Sequence, residues 1–180
     1  MKNIESVAEL RRLIVLRQLP IEKTSGIYRW WFKEAAAKSL VSKIPNATTA
    51  NCQACVINGE KFVALYFGIS KDLRGRIKWH ISQNNTASAV KSGFLSTLRQ
   101  TISALLPEEM TKSQDSVNKL MDEYCYLEWE YTQSKEEAEN LETKELSQSR
   151  YAYPLNGAKN KTVSKEHVAC LTKLRKEYRK

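Results

Sequence analysis

The sequence predicts an α+β domain: a small central antiparallel or mixed sheet of about three strands, flanked by helices. Three observations carry this. Short runs rich in aromatic and β-branched residues, at 27–32, 62–67 and 124–131, read as strands. Between them lie longer stretches whose apolar residues recur at the helical period. Asn58-Gly59, set between two apolar runs, is a two-residue hairpin signal and makes at least one strand pair antiparallel. At 180 residues the chain is long enough to bury one proper core.

The elements follow in order. Residues 4–17, IESVAELRRLIVLR, space Val7, Leu10, Leu13, Ile14 and Leu16 as an amphipathic helix closed by Pro20. Arg11, Arg12 and Arg17 mark its solvated or DNA-facing side, and residues 1–24 read as an N-terminal helical extension. In the strand IYRWWF at 27–32 the two tryptophans point to opposite faces, one filling the core and the other covering a helix or stacking on a base. Residues 33–43 are good helix formers ended by Pro45, with a polar loop at 46–51. Residues 54–57 then pair with 62–67 across Asn58-Gly59. A turn, Ser70-Lys71-Asp72, leads into a short basic helix that Ser70 or Asp72 can cap. Residues 82–92 are polar. Phe94, Leu95, Leu98, Ile102, Leu105 and Leu106 form a second amphipathic helix ended by Pro107, and 115–122 is a further short helix. YCYLEWEY at 124–131 is the third strand. Ser134 with Glu137 makes a capping box that opens a helix through Gln148. A Pro-containing turn at 153–157 and a strongly basic helix, with Val168, Leu171, Leu174 and Tyr178 on one stripe, complete the chain.

The formal net charge of +9 suits a polyanionic partner such as nucleic acid, which the basic tail could follow along its phosphates. No apolar run approaches the ~20 residues of a membrane span, and the N-terminus lacks the apolar core of a secretory signal, so a cytoplasmic location is expected. Cys52 and Cys55 form a CxxC, but no second pair of ligands stands at zinc spacing. Nor does this CxxC open a helix, where a thiol is activated. All four cysteines read as reduced structural thiols. The lack of a Gly-rich phosphate loop argues against nucleotide hydrolysis.

The chemistry gathers in Tyr66–His80, YFGISKDLRGRIKWH. The strand ends on a Tyr and a Gly, and the helix beyond carries Arg76 and His80 four residues apart, on one face. A phenol, a guanidinium and an imidazole suit a phosphate: Arg clamps the oxygens while His or Tyr moves a proton. Upstream, Gly26-Ile27-Tyr28 supplies a second Tyr. Downstream, Leu141-Glu142 lies on a helical pattern with Leu146 four positions on, followed by Tyr153-Pro154-Leu155-Asn156. In this order the chain resembles the GIY-YIG nuclease superfamily. Gly26-Ile27-Tyr28 stands as the first tripeptide, and Tyr66-Phe67-Gly68 as the second with Phe in place of Ile. Arg76 and His80 follow Tyr66 by ten and fourteen residues, the superfamily's spacing. The resemblance covers residues 25–160, with insertions at about 33–53 and 84–122, and leaves 161–180 as a basic C-terminal helix. The second insertion serves either substrate recognition or a larger core.

The resemblance implies a metal-dependent DNA endonuclease with a single-metal site. Its catalytic residues would be Tyr28, Tyr66, Arg76, His80, Glu142 and Asn156, with Glu142 holding Mg²⁺ or another divalent cation such as Mn²⁺. Glu145 is the alternative acid, being nearer the usual distance from the Pro-Leu-Asn, and Asn160 competes for the place of Asn156. A Tyr acts as base with His80 assisting. The sequence leaves open which Tyr, and a phenol of ordinary pKa near ~10 needs activation by Arg76 or His80. The large insertions favour a stand-alone enzyme such as a restriction endonuclease over a repair subunit, while repair and mobile-element nucleases share the same chemistry and stand as alternatives. A palindromic target would make it a homodimer by symmetry. Two other classes stand beside this: a nucleic-acid-binding module that kept the fold and lost cleavage, and a thiol-redox protein using Cys52 and Cys55.

Overall fold

The computed structural model describes residues 3–157 and 159–180; Met1 and Lys2 of the N-terminal extension, and Ala158, lie outside the described residues. One antiparallel sheet runs in the order β1 (Asn3–Ser6), β5 (Cys125–Tyr131), β2 (Gly26–Lys33), β4 (Glu60–Ser70), β3 (Ala54–Ile57). The expected strands are its middle three and the hairpin partner β3; the sheet has five strands rather than about three. The strand absent from the sequence reading is β1. It lies inside the stretch read as one helix from residue 4, and the helix α1 (Val7–Val15) starts only after Ser6. Ser6 Oγ accepts the Glu9 N–H at 3.3 Å and so caps α1. Residues 3–6 instead pair with 126–129 of β5, a long-range partnership with no local signal.

The hairpin forms as expected, with Asn58 and Gly59 both at positive φ (51° and 80°). It pairs β3 with residues 60–63 only. The rest of β4 pairs with β2, and its register slips between Trp30 and Trp31, where Trp30 faces Tyr66 and Trp31 faces Ala64. Leu65 is the extra residue of a β-bulge. The bulge lets Leu65 and Tyr66 both pack against the main core, whereas strict alternation would place them on opposite faces.

Both faces of the sheet are covered. Trp30, Phe32, Leu65 and Leu127 join α1, α2 (Glu34–Val41), α3 (Leu73–Ser82), α5 (Thr97–Leu105) and α6 (Gln114–Tyr124) in the main core. On the other face Trp31, Phe62, Phe67, Leu146 and Tyr153 form a second cluster, to which α7 (Lys135–Gln148) contributes Leu146. Both tryptophans are therefore packing residues, and neither is open to a base. The stretch read as polar, 82–92, contains a short helix α4 (Ala87–Lys91) capped by Thr86. The segment expected as a second insertion adds to the core: every residue of α5 from Leu98 to Leu105 is buried, and α5 packs on α6 and on α8 (Lys165–Glu177).

Candidate active site

Tyr28 and Gly68 face each other across β2 and β4. A Cβ on Gly68 would stand 2.5 Å from both Cζ and Oη of Tyr28, so the tyrosine ring lies where any other side chain would be. Gly26 is equally constrained, since its Cβ would meet the Glu130 carbonyl and Leu73 Cδ1 at 2.3 Å. The two glycines of the tripeptides thus admit a ring and a helix close to the sheet. The Tyr28 hydroxyl is hydrogen-bonded to His80 Nε2 at 2.8 Å. His80 comes from α3, whose first turn is capped by Asp72 Oδ1 accepting the Gly75 N–H at 2.9 Å. Ser70 Oγ accepts the Asp72 N–H and shapes the turn.

Tyr28 and His80 are almost wholly buried, and the half-buried Tyr66 ring lies 6.4 Å from Tyr28 and 6.2 Å from His80. Burial, then the positive charges of Arg76 and Arg99, depress the His80 pKa to about 3, so the ring is neutral at pH 7. Its Nδ1 is buried without a hydrogen-bond partner. Burial also pushes the Tyr28 phenol well above its ordinary value. Tyr66 is pushed up to about 12, with Arg76 and Arg175 opposing the shift and Glu142 adding to it. Tyr66 therefore sits within electrostatic reach of two guanidiniums and one carboxylate.

Those charges line two openings. A cleft of about 590 Å³ is bordered by Tyr66, Glu142, Asn156, Lys159, Arg175 and Arg179. A groove of about 710 Å³ is bordered by Arg76, Trp79, Phe94, Lys71 and Lys135, with the Arg76 guanidinium 4.9 Å from the Trp79 ring. The two candidate acids part company. Glu142 faces the cleft, and Lys159 Nζ lies 3.7 Å from its carboxylate. Glu145 accepts the Tyr153 hydroxyl hydrogen at 2.7 Å and stands 3.7 Å from Arg29, inside a network in which Arg29 also pairs with Glu128 at 2.9 Å. Asn156 is spent on the backbone: its Oδ1 accepts the Phe67 N–H at 2.9 Å and its Nδ2 donates to the Phe67 carbonyl at 2.7 Å. Asn160 holds the Tyr153 carbonyl and Thr162 instead.

Two groups around this site carried no sequence signal of their own. Arg99 is fully buried and donates to the His80 carbonyl at 3.2 Å and to Asn118 Oδ1 at 2.9 Å, holding the C-terminal end of α3 where helix carbonyls lack partners. On a helix read for its apolar stripe it counted only as a polar position. Arg175 was one of many cations in the basic tail. The cysteines are free, and burial raises Cys52 to about 12, the reverse of an activated thiol. Among the described residues no group of three or more His, Cys, Asp or Glu could hold a metal alone.

No curated protein and no solved structure matches the chain. The family model for the GIY-YIG catalytic domain matches residues 26–177, which takes in both tyrosine strands, α3, α7 and α8. With the two tripeptides folded side by side in β2 and β4, the chain belongs to the GIY-YIG catalytic-domain family, a nuclease-type domain.

Proposed function

We propose that this protein is a metal-dependent DNA endonuclease that hydrolyses phosphodiester bonds, with a role in restriction. The observation that carries the reading is the setting of Tyr66. Its phenol borders a cleft with Glu142, lies within reach of Arg76 and Arg175, and is backed by the buried Tyr28–His80 pair. The donor set fits Mg²⁺ or Mn²⁺: a hard cation of this kind takes one or two carboxylates and fills its other positions with water and substrate phosphate. Glu142 is the carboxylate that would hold it, and the bound cation would offset negative charge developing on the phosphate.

The chain's own residues do the rest. Tyr66 accepts the proton of the attacking water, because it alone of the two tyrosines lines the cleft. Its phenolate is favoured by Arg76 and Arg175. We assign His80 the Nε2–H tautomer. That leaves Nδ1 with an orphan lone pair, a smaller cost than an orphan N–H, and it turns the Tyr28 hydroxyl hydrogen towards Tyr66. Arg76 makes a bidentate contact with the scissile phosphate. Asn156 positions Tyr66 by fixing its neighbour Phe67. A palindromic target would bring two copies together on DNA.

Supercoiled plasmid incubated with Mg²⁺ and with EDTA tests this, beside Glu142→Ala and Glu145→Ala. Discrete Mg²⁺-dependent fragments, lost in Glu142→Ala, are expected. A smear would replace the restriction role with a nonspecific or structure-directed nuclease. Binding without cleavage across several metals and substrates would leave a silent binding module.

A further inference from the structure

We infer that Arg175, with Arg179 and Lys159 beside it, forms a second phosphate-binding subsite that takes a DNA backbone phosphate flanking the scissile one; the inference rests on the nuclease reading above. The cleft beside Tyr66 is lopsided in charge. Lys159, Arg175, Lys176 and Arg179 line it, and Glu142 is the only acid among its lining residues. Arg175 is built into that wall. Its Nη1 donates to Thr101 Oγ1 on α5 at 3.2 Å and its Nη2 to Thr172 Oγ1 at 3.3 Å. Gly157 lies against the guanidinium, since an added Cβ there would stand in ordinary contact with Nη2 at 3.7 Å. Arg179 is held similarly, by Gln100 Oε1 at 2.9 Å.

These partners are neutral. Among the described residues neither Arg175 nor Arg179 has an ion pair with a carboxylate, whereas Arg11, Arg12 and Arg29 each do. A half-buried guanidinium anchored by hydroxyls keeps its charge and part of its donor fork for a ligand. Arg76 lines the other groove and not this cleft, so the two arginines serve different phosphates of one strand. Tyr66 borders the Arg175 cleft and senses both guanidiniums. The subsite would thus fix the register of the backbone over Tyr66, a role in binding and placement beside the charge that Arg175 lends Tyr66.

The test is the salt dependence of binding to a short DNA duplex by Arg175→Gln, Arg175→Lys and Lys173→Gln, each made in the Glu142→Gln background in EDTA. Gln keeps a donor for Thr101 and removes the charge. Loss of one phosphate contact should lower the slope of log K against log salt by about 1 and weaken binding roughly tenfold near ~0.1 M salt. Arg175→Lys should restore the slope, and the exposed Lys173 outside the cleft should leave it unchanged. With Glu142 intact, Arg175→Gln should raise KM for plasmid cleavage and also lower kcat, because Tyr66 loses one of its two guanidiniums, so binding in the Glu142→Gln background is the readout that isolates the subsite. An Arg175→Gln protein that melts like its parent and keeps the parental slope and affinity overturns the subsite, whether or not the parent cleaves. A lowered slope in a protein that cleaves no DNA upholds the subsite and removes the nuclease reading.

Discussion

At the scale of single residues, the two acids one turn apart on α7 have different environments and so different expected phenotypes. Glu142 opens on the cleft; Glu145 is tied to Tyr153 and Arg29. Glu142→Gln should lower plasmid cleavage by on the order of 100-fold or more with little change in melting temperature. Glu145→Ala should do the opposite: removing one acceptor from a half-buried network costs about 1–3 kcal/mol of stability and leaves cleavage within severalfold. Equal loss of activity in both variants would return Glu145 to the list of metal ligands. Tyr66 as the proposed base makes a pH prediction. Since burial holds Tyr66 at about 12, only a small deprotonated fraction exists near neutrality. kcat/KM should therefore climb with pH from ~6 to ~9 at close to tenfold per unit. His80, held neutral with a pKa of about 3, adds no inflection near its ordinary value. A bell whose acid limb falls at ~6.5 would mark a titrating histidine as the base instead.

At the scale of elements, the site depends on how β4 is finished along its outer edge. β3 stops pairing at residue 63, and the turn at 153–157 takes over: Leu155 N–H donates to the Leu65 carbonyl at 3.0 Å, and Asn156 satisfies both backbone groups of Phe67. The turn acts as a substitute strand beside Tyr66, and His167 on α8 secures it through the Pro154 carbonyl at 2.8 Å. Asn156→Ala leaves two buried backbone groups without partners, so a loss of about 1–3 kcal/mol in denaturant unfolding is expected, with reduced kcat. Asn156→Asp keeps the acceptor but turns a carboxylate oxygen against the buried Phe67 carbonyl, and should cost at least as much. Gly68→Ala forces the Tyr28 ring aside and should cost about 1–3 kcal/mol together with the Tyr28–His80 hydrogen bond. Much of this level was readable in advance. The hairpin turn, the capping Ser134 and Asp72, and the three central strands each carry a local signal. What was not readable is set by distant partners. β1 exists because β5 offers an edge, and the bulge at Leu65 exists because Tyr66 must face the core side. The tripeptides and the Arg76–His80 spacing pointed to the side of the sheet where Tyr28, Tyr66 and His80 come together. Arg175 stayed hidden because nothing in a run of cations tells which one the fold turns inward.

At the scale of the whole molecule, one buried histidine links acid stability to the integrity of the site. His80 is enclosed by β2, β4 and α3, facing Tyr28, Tyr66, Trp30 and Trp79, with Arg76 and Arg99 as the nearest charges. Both charges are positive, so nothing nearby compensates an added proton. Its folded pKa of about 3 lies below the unfolded value of ~6.5, so between these the unfolded chain holds a proton that the native protein does not. Unfolding then takes up a proton, and stability falls as pH drops through that window by up to about 1.4 kcal/mol per unit, or on the order of a few kcal/mol in all. The carboxyls held low by cationic partners, among them Glu34 and Glu109, titrate below their ordinary value of 4.5. The upper part of the window, from ~6.5 to ~5, therefore belongs to His80 among these groups. Melting temperature should decline there by roughly 2–5 °C per pH unit. His80→Phe, which keeps an aromatic ring in place and cannot titrate, should be less stable at neutral pH because the Tyr28 hydroxyl loses its partner. Its melting temperature should be nearly flat from ~6.5 to ~5. A wild-type slope in His80→Phe would mean that another group takes up the proton and that the imidazole is not held neutral by its burial.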